Sequence, residues 1–586
     1  MQNCFLSHSS TNLTAVGAKE RRYPIMSKVN EKFPTLNGTL SDPRTRKYLV
    51  PKKIIFTQGD VKNPESLLVE KTNQITLNSG QGCILKNTEC GPHAAILVDF
   101  GIEFPGSLRL MVWSVQGKNN RADILVRFGE SVSEAMTPIF ESNTTNDHAN
   151  RDSIMNIGFL SSNETNESGY RFAYIELLEP CGLVEFKAIQ GVFTYLDLDY
   201  KGSFECDDEK INHIWNTAAY TAHVNMQEYL WDGIKRDRLV WIGDMHTEVR
   251  SILATFGYHE VIERSLDLVR NETPVGKWMN GMSSYSLWWL LIQHDLYRCW
   301  GNIEYLTEQK EYLSGLLLIL ADCVDQNGVE HMPHDRFIDW PSRDNKDAVH
   351  AGLQGLLKIA LDCGAELLEI LGENKTADKC IAASQRMSGH VPNCAGSKQA
   401  ASLLILSGIG DAKKLNREVI SPGGPEGYST FFGYYILAAK AIAGDLSGAL
   451  EDMKAYFGGM LDVGATTFWE DFNILWLENA SRIDQPVPEG KVDIHGAYGD
   501  FCYKGFRHSL CHGWASGPCP FLTRYVLGVK ALAHDTYEIK PNLSSLEWAR
   551  GSIPTPHGII EVSAKKVDGE TVVDINAPKN ITIIKD

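Results

Sequence analysis

The sequence predicts a multidomain protein in which a large all-α domain is flanked by N-terminal and C-terminal β-sandwich domains. Short alternating apolar runs precede residue 200, helical patterns fill the chain from about 207 to 533, and short β-like runs return after 535. With 586 residues, of which 43% are hydrophobic, the chain exceeds the size at which a single core stops growing. The predicted parts are an irregular arm at 1–50, a β-sandwich at 51–200, the all-α domain at 201–534 and a second β-sandwich at 535–586.

The first β-sandwich is predicted from short apolar runs that clusters of Gly, Asn and Ser interrupt. Leu108–Val115 and Ala122–Phe128 are two such runs, and strands at this spacing are typical of sandwiches. The polar stretch over 138–169, which includes SSNETNESG, predicts a long loop within this domain.

The all-α domain begins near Asp207-Asp208-Glu209, since acidic residues at a helix start interact favourably with the helix dipole. About a dozen helical segments follow, separated by turn signals such as SPGGPEG at 421–427. After the helical pattern that opens at 207, long helices are predicted at 245–270, 283–300, 303–324, 347–371 and 515–533. No repeat of about 34–45 residues is visible, so a regular solenoid is not expected. A closed ring of helical hairpins, an (α/α) barrel, fits the number of helices better than a four-helix bundle.

Charge and composition exclude several classes of protein. The chain has 56 basic and 73 acidic residues and a net charge of −17, so it is poorly suited to bind nucleic acid or an anionic membrane. No stretch reaches the roughly 18 apolar residues of a membrane helix, and the first residues show no secretion signal. We expect a cytoplasmic protein, or a periplasmic one if a leader has been removed. The 13 cysteines include no CxxC motif, which indicates free thiols and no zinc site.

Two segments combine carboxylates with tryptophans. The first is WDGIKRDRLVWIGDMHTE at 231–248, and the second is GATTFWEDF at 464–472. Hydrolysis of a glycosidic bond needs two carboxyl groups, one protonated as an acid and one ionised as a base or nucleophile. Neighbouring carboxylates raise one another's pKa and arginines lower it, so a mixed cluster can separate the two protonation states. Tryptophan faces provide flat apolar surface for a sugar ring.

Structural explanations stay open for the same residues. Alternating Asp and Arg side chains would also form salt bridges between helices, and the pair Trp469-Glu470 is not specific by itself. Asp339-Trp340, in RFIDWPSR, is a candidate sugar contact or a structural pair. His512, in LCHGWASGP, is a candidate donor to a substrate or a satisfied structural histidine.

The segment 232–244, DGIKRDRLVWIGD, resembles the signature of family 78 glycoside hydrolases, the bacterial α-L-rhamnosidases. That signature reads Asp-Cys-Pro-x-Arg-Glu and, a few residues later, Gly-Trp-x-Gly-Asp, and the present segment aligns with it without a gap. Further segments between about 200 and 586 are similar to the same family, namely Gly202–Asp208, Gly464–Glu470, Cys511-His512, Ile539–Pro541 and Gly558–Ile560.

The resemblance implies an (α/α)6 barrel that removes terminal α-L-rhamnosyl residues with inversion of configuration. It implies Asp237 as the general acid and Glu470 as the general base. The implied substrate-binding residues are Asp232, Arg236, Trp241, Asp244, Asp339, Trp340, Trp469 and His512. No cofactor and no metal are expected, the expected partner is a carbohydrate substrate, and a homodimer is left open.

Two departures from the family pattern bear on the chemistry. Gly233-Ile234 replaces Cys-Pro, and Asp237 replaces a glutamate that is one methylene longer. A misplacement of about 1 Å can cost about a hundredfold in rate. If Arg236 or Arg238 pairs with Asp237, it would favour the ionised form, which is unsuited to an acid.

Three alternatives therefore stay open. Asp244 or Glu248, which share one helix face, could supply the acid. The substrate could be a uronic-acid-containing oligosaccharide, with Lys235, Arg236 and Arg238 binding its carboxylate. The protein could also be a catalytically silent carbohydrate-binding relative that keeps the pocket.

Overall fold

A computed structural model describes residues 42–77, 80–147, 150–333 and 335–585. Most of the predicted irregular arm at 1–50 lies outside these residues. Its last part is wrong, because Thr45–Leu49 forms a strand that pairs antiparallel with the segment ending at Tyr195. The side chains of TRKYL are mostly polar, so the sequence has no apolar pattern that would predict a strand here. The strand forms because its backbone pairs with the neighbouring one. Arg44–Asp586 form one compact unit.

The N-terminal region is β-rich. Its ten strands are β1 Thr45–Leu49, β2 Lys53–Gln58, β3 Asp60–Lys62, β4 Cys83–Lys86, β5 Ala95–Gln116, β6 Arg121–Gly129, β7 Asp152–Gly158, β8 Ser162–Glu164, β9 Ser168–Leu177 and β10 Leu183–Tyr195. They form one sheet in the order β3-β4-β10-β5-β9-β6-β7, with β1 on β10 and both β2 and β8 on β5. Apolar side chains from the long central strands form a core separate from that of the helices.

The long polar loop predicted at 138–169 is wrong in its second half, which contains β7 and β8. β7 pairs with Arg121–Arg127 of β6, and β8 pairs with Arg109–Met111 of β5. These edge strands expose polar and apolar side chains alike, so the sequence there shows no alternation. A short helix, α1 Val132–Met136, follows β6.

The middle of the chain is helical. Its helices are α2 Glu209–Asn225, α3 Ile242–Thr255, α4 Glu260–Glu272, α5 Ser283–Trp300, α6 Ile303–Asp322, α7 Lys346–Ile370, α8 Asn374–Met387, α9 Lys398–Leu406, α10 Ala412–Leu415, α11 Gly433–Ile442, α12 Leu446–Asp462 and α13 Pro518–Phe521. Six of them form a closed circuit of contacts, in which α3, α5, α7, α9, α11 and α13 each pack against the next and α13 packs against α3.

Two of the predicted helices are wrong in extent. The helix predicted at 245–270 is divided into α3 and α4 around Gly257, whose φ of 82° a helix does not allow. The helix predicted at 515–533 ends by Val526 and gives way to a strand at Val529–Ala533. Gly528, at φ 69°, makes this break, because a Cβ there would lie 1.9 Å from the Lys540 carbonyl oxygen.

The C-terminal region is again β-rich. Its strands, with one from the start of the helical part, are β11 Ser203–Cys206, β12 Val529–Ala533, β13 Thr536–Ile539, β14 Trp548–Thr555, β15 Gly558–Val567, β16 Glu570–Asn576 and β17 Thr582–Ile584. They form a four-stranded sheet, β11-β14-β15-β16, and a three-stranded sheet, β12-β13-β17. Their buried side chains join the helical core, so the C-terminal strands and the helices share one apolar interior.

Two further observations concern membrane-spanning helices and cysteines. No helix in the described ranges is long and apolar enough to cross a membrane. The twelve cysteines within these ranges all have free thiols.

Candidate active site

The loop between α2 and α3 contains the first predicted segment. The Asp232 Oδ1 accepts a hydrogen bond from the Leu239 N–H at 2.9 Å, and the Asp232 N–H donates to the Leu239 carbonyl, which closes the loop at its base. At its tip, Asp237 and Arg238 have φ values of 57° and 52°, and the Arg238 N–H donates to the Arg236 carbonyl. Asp tolerates this left-handed conformation better than Glu does, which gives a local reason for an aspartate at position 237.

The second segment follows α12 and places Glu470 opposite this loop. The Glu470 main chain is fixed on both sides, since its N–H donates to Ser509 and its carbonyl accepts from Thr430 and Trp514. Its carboxyl is buried and accepts hydrogen bonds from Arg236 Nη2 at 2.5 Å and from the Ser509 N–H at 3.0 Å.

A single guanidinium joins the two carboxyls predicted to be catalytic. Arg236 donates from Nη1 to Asp237 Oδ1 at 2.9 Å and from Nη2 to Glu470 Oε1 at 2.5 Å. The Asp237 side chain is 19% exposed and the Glu470 side chain 3% exposed, so the acid candidate lies nearer the solvent than the base candidate. Pairing with Arg236 favours the ionised form of Glu470.

His512 lies between the carboxyls of Asp232, Asp244 and Glu470. Its Nε2 is 3.8 Å from Asp232 Oδ2, 3.9 Å from Asp244 Oδ2 and 3.7 Å from Glu470 Oε1. These distances are too long for direct hydrogen bonds, and they suit a small hydroxyl or water bridging the groups. The Tyr285 hydroxyl donates to Asp244 Oδ1 at 2.9 Å and fixes its orientation.

Burial controls the protonation of this cluster. It raises the pKa of Asp232 and Asp244 well above the usual range for aspartate, and the charges of neighbouring carboxylates add to the effect. Burial also raises the pKa of Glu470, but Arg236 and the Ser509 N–H oppose that rise. Burial and the Arg236 charge hold the pKa of His512 well below its usual value, so this imidazole is neutral.

Two clusters in the described ranges have donor sets that could hold a metal ion. One is Asp232, Asp244 and His512, and the other is Glu130, Glu134 and His495. In the second cluster the Lys235 ammonium lies 2.8 Å from Glu130 and 3.1 Å from Glu134, so a cationic side chain of the chain itself already neutralises it.

Aromatic rings border the carboxylate cluster. Half-buried Trp340 lies 5.3–5.7 Å from the rings of Phe337, Phe501 and Tyr503, and the Arg236 guanidinium lies 5.6 Å from the centre of Tyr503. Half-buried Trp241 lies edge-on to Tyr285 at 6.2 Å. These rings connect the two predicted aromatic contacts to the carboxylates.

Asp339 and Trp469 have structural roles in this arrangement. The Asp339 carboxylate accepts hydrogen bonds from the Ser429 hydroxyl at 2.5 Å and the Trp340 N–H at 2.9 Å, and burial raises its pKa to about 7. It orients Trp340. Trp469 is fully buried against Phe472, which leaves no ring face open to a sugar.

Glu248, the alternative acid, lies one helical turn below Asp244. Its carboxyl is buried beneath Gly513, and neither oxygen has a hydrogen-bond partner among the described residues. Burial, with the charges of Asp244 and Asp232, raises its pKa well above the usual range for glutamate. These surroundings favour the neutral form of the side chain and enclose it.

The structure adds residues that sequence reasoning missed. Glu130, Tyr285, Tyr503 and Ser509 all contact the cluster or its supporting groups. Ser509 lies three positions before His512, so proximity in sequence could have indicated it. Glu130 follows a strand more than a hundred residues away from the loop, and nothing in its surrounding sequence distinguishes it.

A cavity of about 420 Å³ lies at the C-terminal half of α3, lined by Arg250, Leu253 and Ala254 together with residues of α5 and the C-terminal strands. None of the predicted site residues lines it. The carboxylate cluster at the N-terminal end of α3 is therefore the candidate site.

Residues 199–379 match the family model described as the bacterial alpha-L-rhamnosidase 6 hairpin glycosidase domain. This part of the chain is similar to that domain family. The matched α-L-rhamnosidase-type segment includes the loop with Asp232 and Asp237, and Asp244 at the start of α3. Glu470 and His512 lie beyond it. No curated protein matches the chain.

Solved structures of bacterial rhamnosidases share the fold. The GH78 family rhamnosidase of Bacillus sp. GL1 is 21% identical, with a TM-score of 0.71 over 89% of this chain and 55% of that one. The Klebsiella oxytoca rhamnosidase with rhamnose bound is 18% identical, with a TM-score of 0.64 over 82% and 96%. The Streptomyces avermitilis α-L-rhamnosidase complexed with L-rhamnose is 15% identical, with a TM-score of 0.65 over 85% and 49%. The chain spans about half the length of the Bacillus and Streptomyces proteins.

Proposed function

We propose that the protein is an inverting exo-glycosidase that hydrolyses terminal α-L-rhamnosyl residues. The observation that supports this best is the pair Asp237 and Glu470, joined by Arg236 within an α-L-rhamnosidase-type domain. Arg236 bridges these two carboxyls, of which one is partly exposed and the other buried. An acid and a base on opposite sides of a sugar require two carboxyl groups held near each other. The closed circuit of α3, α5, α7, α9, α11 and α13 supports an (α/α)6 barrel as the framework.

Asp237 would protonate the glycosidic oxygen. It is the most exposed of the clustered carboxyls, so an aglycone leaving towards solvent would pass it. Its present partner is Arg236, whose Nη1 donates to Asp237 Oδ1 at 2.9 Å. An incoming glycosidic oxygen must therefore take the place of Arg236 as the hydrogen-bond partner of Asp237.

Glu470 would activate the attacking water. A base must be ionised, and the hydrogen bonds from Arg236 and from the Ser509 N–H stabilise that form despite burial. Since one guanidinium joins both carboxyls, their bridged oxygens lie within about 8 Å of each other. This bound is compatible with the separation of about 6.5–9.5 Å in inverting enzymes and with that of about 5–5.5 Å in retaining ones, so the anomer of the product must distinguish them.

Asp232, Asp244 and His512 would bind the sugar hydroxyls. Raised pKa values allow the two aspartates to donate as well as accept, and the neutral imidazole can do either. Trp241 and Trp340 would border the ring and the aglycone. The wide spacing around His512 Nε2 leaves room for a hydroxyl among the three groups.

A substrate carboxylate would find few available cations here. Lys235 is buried between Glu130 and Glu134, and Arg236 is already paired with two carboxyls. Of the three cations on which the uronic-acid alternative depended, this leaves Arg238, whose Nη1 donates to the Glu167 carbonyl. A silent sugar-binding protein remains the alternative that an activity assay must separate.

The test compares Asp237→Asn and Glu470→Gln with the parent protein on 4-nitrophenyl and methyl α-L-rhamnosides, with product anomers followed by proton NMR. We expect release of β-L-rhamnose and a loss of about 10²–10⁴-fold in kcat for Glu470→Gln on both substrates. Asp237→Asn should lose far more activity on the methyl glycoside, because nitrophenolate leaves without protonation. Asp462→Asn, at an exposed ion pair, is the control and should be unchanged.

Three outcomes would contradict the proposal in different ways. An Asp237→Asn variant that keeps full activity on the methyl glycoside would assign the acid elsewhere, with Asp244 next. Release of α-L-rhamnose would exclude inversion. Rhamnose binding without any turnover by the parent protein would establish the silent relative.

A further inference from the structure

A buried cluster of charges connects the N-terminal β-rich region to the loop that contains Asp237. The Lys235 Nζ lies 2.8 Å from Glu130 Oε2 and 3.1 Å from Glu134 Oε1, and all three side chains are at most 7% exposed. Glu130 directly follows β6, and Glu134 lies in α1. Because ions this deeply buried are costly unless fully paired, the cluster fixes the two regions relative to each other.

The peptide group between His508 and Ser509 joins this cluster to Glu470. Its carbonyl oxygen accepts hydrogen bonds from Lys235 Nζ at 2.6 Å and from His495 Nε2 at 3.0 Å. Its N–H, on Ser509, donates to Glu470 Oε2 at 3.0 Å. Donors on the carbonyl polarise a peptide group and strengthen its N–H as a donor, so the Lys235 charge acts on Glu470 through this peptide.

Glu130 holds the same segment from its other side. Its Oε1 accepts from the Ser509 hydroxyl at 2.9 Å, and its Oε2 accepts from the Leu510 N–H at 2.7 Å. The peptide that donates to Glu470 is therefore fixed at its carbonyl by Lys235 and beyond its N–H by Glu130. Lys235 and Glu130 also pair with each other, which makes the arrangement a closed network.

We propose that Lys235 and Glu130 are positioning residues for Glu470, which act through the peptide group between His508 and Ser509. This rests on the proposed role of Glu470 as general base. It also makes the N-terminal β-rich region a part of the catalytic apparatus, because Glu130 belongs to that region and reaches the base through two hydrogen-bonded steps.

Lys235 and Glu130 carry opposite charges, so removing one or the other should shift the pKa of Glu470 in opposite directions. The Lys235 ammonium lowers the pKa of Glu470, so its removal should raise that pKa. Burial raises the pKa of Glu130 to about 7, so its charge acts mainly in the upper part of the pH profile. There its loss leaves Lys235 less compensated and should lower the pKa of Glu470. The other titratable groups facing Glu470 or Lys235 are unchanged in both variants; they are Arg236, Asp237, Asp244, Asp471, Cys502, Tyr503, His512, Glu103, Glu134, His495 and His508.

The experiment measures pH profiles of kcat/KM on an aryl α-L-rhamnoside for Lys235→Met, Glu130→Gln and the double variant. We expect the acid limb to move to higher pH in Lys235→Met, by roughly half a unit or more, and to lower pH by a smaller amount in Glu130→Gln. Each single variant should lose about tenfold or more in kcat, with KM changed by less than about threefold. The double variant should return the limb towards its original position, and Lys235→Arg should recover part of the lost kcat.

Lys187→Met is the matched control. Lys187 is a buried lysine of the same β-rich region, but its ammonium binds Thr72, away from the carboxylate cluster. Its loss should lower stability and leave the acid limb in place. Limbs that do not move, or that move in the same direction in both single variants, would overturn the proposal.

A failed proposed function is recognised separately, because the parent protein would then show no turnover. In that case the pKa of Glu470 is read by infrared titration of its carboxyl, assigned by difference from Glu470→Gln. Opposite displacements in Lys235→Met and Glu130→Gln would still be required, and their absence would refute the positioning role by itself.

Discussion

At the scale of single residues, Glu248 is a buried carboxyl whose two oxygens have no partner among the described residues. Its pKa is raised well above the usual value by burial first and by Asp244 and Asp232 next. A carboxyl with a raised folded-state pKa stabilises the fold below its unfolded pKa and loses that contribution as pH rises towards the folded value. Protonation on folding costs about 1.4 kcal/mol for each pH unit above the unfolded pKa.

We therefore expect Glu248→Gln to differ from the parent protein in a pH-dependent way. The amide is neutral at every pH, so both proteins should have similar stability near pH 4.5. At pH 7–8 the variant should be more stable, by about 1–3 kcal/mol after the cost of an unpaired amide is subtracted. Urea unfolding at the two pH values measures this, and an advantage that does not grow with pH would show that Glu248 is not protonated in the fold.

The sequence could predict some of these residues and not others. Asp232, Asp237 and Asp244 have a spacing that a single loop must bring together, and the structure places them in one cluster with Glu470 and His512. The orientation of Trp469 was not predictable, because adjacent residues face opposite ways and sequence does not say which of the two faces the site.

At the scale of elements, the start of α3 must approach α5 very closely. A Cβ on Gly243 would lie 2.3 Å from the ring of Tyr285, whose hydroxyl holds Asp244. Gly243→Ala should displace that ring, release Asp244 and lower kcat/KM about tenfold or more, with helical content unchanged. Gly389→Ala, which meets only one backbone oxygen at 3.4 Å, is the control. Equal activity of the two variants would show that Tyr285 does not position Asp244.

The predicted secondary structure was accurate where the apolar periodicity was strong. It was wrong where backbone conformation and strand pairing determined the structure. The long amphipathic helices α5, α6 and α7 begin and end near the residues that their apolar spacing indicates. The strand at Val529–Ala533 has the sequence VKALA, which is rich in helix formers. Its conformation is set by Gly528 and by pairing with β13, and local sequence contains neither fact.

At the scale of the whole molecule, the N-terminal sheet and the segment leading to Glu470 are held together by buried polar contacts. Arg171 binds both oxygens of Asp99 at 2.8 and 2.9 Å and donates to the Gly464 carbonyl at 3.0 Å. The Glu103 N–H donates to the Thr466 hydroxyl. The β-rich region therefore fixes the stretch that precedes the base, and the two regions should unfold together.

Arg171→Met tests this coupling, because it leaves Asp99 as an uncompensated buried charge. The loss should cost about 3–5 kcal/mol, whereas Arg550→Met, at an exposed pair, should cost less than about 1 kcal/mol. Trp113 is the only tryptophan before residue 200, so tryptophan fluorescence reports mainly on the helical region and hydrogen exchange of β5 and β6 reports on the sheet. Both probes should give one urea midpoint that falls together in Arg171→Met. Two separate midpoints in the parent protein would show that the sheet is not part of the same cooperative unit.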